Sequence, residues 1–148
     1  MQLDFDVEAR NRLVEKIEAV GGCYPEDDVE PPAVSLEDFF VGNRDRGSIG
    51  CNLVPHPGID RFYEVLRKVR ERPEVGGVYV CINQIDDEAW PFAEVVYVYT
   101  TAMREEVASW VKELTPDEVI LRGEGESKLH PSTPPPPPGM RVCVLWWD

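Results

Sequence analysis

Apolar and polar positions alternate in two rhythms along this chain, and the change between them marks out the elements. From Asp6 to Val20 the apolar residues Val7, Leu13, Val14, Ile17 and Val20 recur at helical spacing among charges and stop at Gly21-Gly22, which predicts an amphipathic helix. An acidic, Pro-rich connector, YPEDDVEPP, follows, and Ser35-Leu36-Glu37-Asp38 has the form of a capping box opening a short turn through Phe39 and Phe40. From Ser48 the pattern becomes regular: strand 48–53, helix 58–71, strand 77–85, strand 94–100, helix 102–114, strand 118–121. The first of these helices places Ile59, Phe62, Tyr63, Leu66 and Val69 on one face, and the second Met103, Val107, Trp110, Val111 and Leu114. Val78 to Ile82 and Val95 to Tyr99 are apolar on both faces and read as central strands.

The expected fold is therefore α+β: a ferredoxin-like split β-α-β sheet, in the order β-α-β-β-α-β from Ser48 on. It carries an N-terminal helix and an added C-terminal strand, Arg141 to Trp146. One domain spans residues 1–148. Residues 1–34 supply the helix and acidic connector, and 123–140 form a Pro-rich insertion. The proline run 134–138 predicts a polyproline II segment of about 15 Å, at roughly 3.1 Å per residue, serving as a stiff crossing between two strands.

Charge refines this picture more by its distribution than by its total of −13. Residues 1–40 hold 11 acids and 3 bases, 41–72 hold 4 and 7, and 73–122 hold 10 and 3, so a basic middle lies between acidic arms. The total disfavours nucleic acid and anionic membranes as partners and favours a cationic protein. Several of the central bases, Arg67, Lys68, Arg70 and Arg72, fall late in a predicted helix, where they complement its dipole. No run approaches the roughly 18 apolar residues of a membrane span, and MQLDFDVEAR lacks the order of a signal peptide, so a cytoplasmic protein is expected. Cys23, Cys51, Cys81 and Cys143 are 28, 30 and 62 residues apart without a CxxC pair, the pattern of reduced thiols rather than a zinc site.

Chemistry-bearing residues concentrate in Val41 to Tyr63, which crowds four glycines, two asparagines, a Cys and a His between apolar anchors. Cys51, His56 and Asp60 have the residue types of a nucleophile, base and orienting carboxylate. They fall close together on one strand, turn and helix start, whereas working triads converge from separate elements. No phosphate-loop or dinucleotide-binding glycine pattern is present, and Asp86-Asp87-Glu88 lacks EF-hand spacing, so no catalytic residue, metal or cofactor is expected. Two candidate contact surfaces remain. Trp90 and Phe92, in the loop between the central strands, can act as a packed lid or as exposed anchors rimmed by Asp86, Asp87, Glu88 and Glu94. Asn43, Arg44 and Arg46, with Asp45 between the arginines, suit either a tight turn or recognition of a carboxylate or complementary protein surface.

The segments FFVGNRDRGSIGCNL, HPGIDRFYEVLRKVRERPEV and WPFAEVVYVYTTA, with the W-V-K-x-L-x-P-D-x-V stretch at 110–119, resemble a family of small, acidic, functionally uncharacterised bacterial proteins over residues 36–148. GSIGCNL, HPGI and WPF are its most specific pieces. In size and acidity the chain is similar in type to cytoplasmic immunity proteins that neutralise polymorphic toxins. The expected function is a non-catalytic protein-binding module, most concretely an immunity- or antitoxin-like inhibitor of a cationic protein. The alternatives are a small-ligand sensor acting as a homodimer and a hydrolase using Cys51.

Overall fold

The computed structural model describes residues 5–86, 89–123 and 126–148. Helix α1 (Val7–Ala19) starts at Asp6, whose carboxylate accepts from the Glu8 and Ala9 amides. It buries Ala9, Leu13 and Ile17 and stops where the Gly21 and Gly22 amides close back on the carbonyls of Glu18 and Ile17. Strand β1 (Ala33–Ser35) runs into helix α2 (Leu36–Phe40), with the Ser35 hydroxyl accepting from the Asp38 amide as the capping pattern predicts. Helix α3 (Ile59–Arg70) then leads through β2 (Val75–Cys81), β3 (Val95–Thr100), α4 (Arg104–Trp110), β4 (Glu118–Leu121) and β5 (Arg141–Trp146).

The fold is α+β with an N-terminal helix and a five-stranded, fully antiparallel sheet in the order β1-β2-β3-β5-β4. The ferredoxin-like order counted from Ser48 is not the one formed, because residues 48–53 make no strand. Arg46–Ser48 is a single 3-10 turn, and Gly50 has φ +62°. A Cβ at Gly50 would lie 2.9 Å from the Phe62 ring, so the chain passes too close to α3 for an ordinary strand residue. The edge position is taken instead by β1, which emerges directly from Pro31-Pro32 in the acidic connector. A split β-α-β unit does occur further along: β3 and β4 are parallel, joined through α4, and β5 lies between them.

The helical face of the sheet holds the larger core. Leu13, Ile17, Leu36, Phe39, Phe62, Leu66, Val80, Val98, Leu145 and Trp147 are all almost completely buried there. Helix α3 contributes Ile59, Phe62, Val65, Leu66 and Val69, so Val65 rather than half-buried Tyr63 completes its inner stripe. Arg70 grips Glu37 with two hydrogen bonds of 2.7 Å and fastens α3 to α2. That guanidinium holds the Glu37 carboxyl down at about 2. Helix α4 is shorter than expected at both ends: it starts only after Met103, which caps it in an extended conformation and stays 62% exposed outside the core, and it passes into a 3-10 turn at Lys112–Leu114.

The opposite face is apolar too but carries no helix among the described residues. Tyr79, Cys81, Tyr97, Tyr99 and Val142 lie under the chain running from Leu129 to Met140. Tyr99 donates its hydroxyl hydrogen to the Pro134 carbonyl at 2.6 Å, and the buried Thr133 hydroxyl accepts from the Ala33 amide at 3.1 Å. Gly76 permits the close approach: a side chain there would collide with Met140 and Pro137. The Pro-rich insertion is therefore a cover for the sheet as well as a crossing.

Candidate functional site

The loop entering the Gly-rich segment is fixed from both sides. The Gly42 carbonyl accepts from the Asp6 amide at 2.8 Å, and Phe5 and Asn43 form a β-bridge, so the start of α1 holds one end. Asn43, 2% exposed, donates from Nδ2 to the Ser48 hydroxyl and accepts from the Asp45 amide at Oδ1, both at 2.9 Å. Ser48 in turn donates to the Asp45 carbonyl at 2.6 Å, and Asp45 Oδ1 accepts from the Gly47 amide. This closed set of bonds partners the side chains of Asn43, Asp45 and Ser48 and the amides of Asp45, Gly47 and Ser48 without a strand.

The same loop reaches the second sequence candidate. Asp45 Oδ2 accepts from the Trp90 amide at 3.4 Å, and the Ser48 carbonyl accepts from the Ala93 amide at 2.8 Å. Arg10, on α1, donates to the carbonyls of Ala89 and Asp86 at 3.1 and 2.6 Å. Two segments some forty residues apart are thereby joined into one polar surface, tethered at Asp45, Ser48, Asp86, Ala89, Trp90 and Ala93.

The named candidates divide clearly within it. Arg44 and Arg46 are exposed and make no ion pair among the described residues, while Asn43 is buried and structural. Asp86 is exposed, accepting from the Gln84 side chain at 2.8 Å; Asp87 and Glu88 lie outside the described residues. Trp90 is 1% exposed and packs edge-on against Phe5 at 5.9 Å, so it is a lid and offers no anchor to a partner. Phe92 and Glu94 are half-buried, the former bonded through its backbone to Gln84 and the latter through its amide to Asn83. The composition of the loops gave no sign of Arg10 or Phe5 as the residues that unite them; the Asp45-x-Gly47 turn was the one local signal.

Residues Asn43, Arg44 and Arg46 face Pro57, Gly58, Asp60 and Glu64 across an open groove of about 440 Å³. Its far wall begins at Pro57, just after His56, whose Nδ1 accepts from the Gly58 amide at 2.8 Å. Nε2 therefore carries the ring hydrogen and donates it to the Ile49 carbonyl, also at 2.8 Å. Both nitrogens are committed to backbone groups, and no hydrogen bond links His56 to exposed Cys51 or to exposed Asp60 among the described residues. The ring organises the turn into α3. Arg61, at the groove's edge, is held by Glu113 through two bonds of 2.6 Å and by Glu64 at 3.0 Å, leaving Arg44 and Arg46 as its free cations among the described residues.

Residues 8–145 match the model of a family described as the uncharacterized protein YfbO family. The chain belongs to the YfbO family. A relative, uncharacterized protein YfbO of Escherichia coli (strain K12), is 42% identical over 130 residues, covering 87% of this chain and 91% of the relative. No solved structure matches. The matched stretch of the YfbO family runs from α1 into β5, so the joined loops and the Pro-rich cover both belong to the shared unit. No helix among the described residues is long and apolar enough to cross a membrane.

Proposed function

We propose that this chain is a non-catalytic protein-binding module, most concretely an inhibitor of a cationic protein in the manner of immunity and antitoxin proteins. The observation that carries the reading is the union of the 42–48 and 86–94 loops into one tethered surface. Its aromatic residue, Trp90, is turned inward, and its charged side chains, Arg44, Arg46 and Asp86, are turned outward. A rigid backbone presenting charge loses little conformational freedom on contact, which favours recognition by a complementary surface. The net charge of −13 speeds encounter with a cationic partner, while Arg44 and Arg46 set its register through carboxylates on that partner.

Capture from native extract at low and moderate salt, followed by mass spectrometry, tests this. One basic protein should be retained stoichiometrically and released as salt rises. Replacing Asp86, Asp87 and Glu88 together by Lys should slow its association, and Arg44→Glu with Arg46→Glu should weaken the complex. Retention unaffected by either set would remove the joined loops as the contact surface.

A second reading, a small-ligand sensor, is favoured by the groove between Arg46 and Gly58, whose open cations suit an anionic metabolite. It predicts a melting temperature that rises with a particular metabolite and no longer does so in Arg46→Ala.

A further inference from the structure

The sheet has two edges, and β4 forms one of them. The Arg122 amide donates to the Val142 carbonyl, so along β4 the even-numbered residues bond to β5, while Val119 and Leu121 turn their N–H and C=O groups outward. Consistent with this, Arg104 reaches the Val119 carbonyl from the open side, at a long 3.4 Å. Side chains alternate the other way. Val119 and Leu121 pack on the helical core, and Ile120 stands 43% exposed on the opposite face beside half-buried Val144, beyond the Pro-rich cover. Met103, 62% exposed, immediately precedes the arginine that reaches this edge.

We propose that two copies of this chain pair antiparallel through β4, with the two-fold axis at Ile120. In that register Val119 of each copy lies opposite Leu121 of the other, and the outward groups of both exchange four N–H···O bonds. Ile120 meets its own counterpart in a non-hydrogen-bonded pair, where side chains approach most closely. Glu118 lies opposite Arg122 at both ends, but the Arg122 guanidinium is 12% exposed and already held by Glu126 and the Ser127 carbonyl, so Ile120 and the outward backbone groups carry the pairing. A shift of the two-fold by one residue toward either end sets Ile120 opposite Glu118 or Arg122 instead, so side-chain chemistry selects the central register. The apolar row Tyr97-Val144-Ile120 then continues into the second copy. Because each copy carries −13, association strengthens as salt screens the repulsion, the opposite sign from capture of a cationic partner.

Sedimentation velocity over a range of concentration and salt should show reversible dimerisation promoted by salt and abolished in Ile120→Asp, whose circular dichroism spectrum is unchanged. Single cysteines in a Cys51→Ser background fix the register. Ile120→Cys should form an intermolecular disulfide readily, since facing Cα atoms in such a pair are about 4.5 Å apart. Glu118→Cys should not, because the two copies of residue 118 are separated by about 14 Å along the strands at roughly 3.4 Å per residue. A monomer under all conditions, a dimer indifferent to Ile120→Asp, or equal cross-linking at 118 and 120 would each overturn the proposal.

Discussion

The two faces of the sheet solve one problem, keeping apolar strands out of water, by different means. On the helical face, helices α1 to α4 lay periodic stripes onto Val80, Val98 and Leu145, and large rings such as Phe62 and Trp147 meet edge-on at 5.3 Å. On the other face a single irregular stretch of chain, Leu129 to Met140, covers three tyrosines and is tethered by isolated hydrogen bonds donated by the Tyr99 hydroxyl and the Ala33 amide. A periodic cover stores its stability in packed volume, whereas a non-periodic one depends on a few polar tethers and on a backbone already stiffened by proline.

If that contrast is right, the largest loss comes from the packed side. Phe62→Ala should cost about 3–5 kcal/mol in chemical denaturation, because the ring is fully buried against Trp147 and His56. A smaller loss would mean the helical face relaxes as easily as the other. Thr133→Val, nearly equal in volume, strands the Ala33 amide and should cost about 1–3 kcal/mol. Its effect should be local: Cys81, on the Pro-covered face, should become alkylated faster, while Cys143, on the helical face, stays protected. Burial holds these thiols up at about 12 and 11, so labelling of either reports opening of its face; equal acceleration would merge the two faces into one cooperative unit. Ser35→Ala, which removes the cap of α2, should cost about 1 kcal/mol.

The smallest effect is electrostatic. Glu37 is depressed from 4.5 to about 2 by Arg70, so the stability it adds is fully present above its unfolded value. That stability is lost as pH falls from about 4.5 toward 2. Because the carboxylate is 48% exposed, the pair contributes at most about 1 kcal/mol, and Glu37→Gln should flatten the acid limb of the stability profile by no more than that.

Legibility followed the same divide. The helices α1 and α3 and the strands β3, β4 and β5 lie within a residue or so of their predicted limits, because each carries a repeating apolar pattern. Strand β2 begins and ends earlier than expected, in a run whose apolar character alone does not set its limits. Strand β1 was invisible: three residues between a proline pair and a helix cap are too short to show any period. Ser48 to Leu53 looked like a strand from Ile49 and Leu53, but Gly50 and the side-chain bonds of Asn43 and Asp45 offer the backbone a better local solution. The sheet order depends on contacts between distant segments, which local patterns do not encode. At the candidate site, the exposure of Arg44, Arg46 and Asp86 was readable from residue type, whereas the burial of Trp90 arises from Phe5, eighty-five residues away in sequence.

The last strand ends in two adjacent tryptophans that alternation sends to opposite sides. Trp147 is sealed among the helices, with its indole N–H donated to the Leu114 carbonyl at 2.8 Å, and Trp146 stands half-buried on the other face beside Val95. Their emission should differ accordingly: a blue-shifted component inaccessible to iodide from the first, and a red-shifted, quenchable one from the second. In a Trp90→Phe, Trp110→Phe background, Trp147→Phe and Trp146→Phe each silence one of the two remaining signals, so neighbouring positions at the end of β5 become separate optical reporters of the two sides of the molecule.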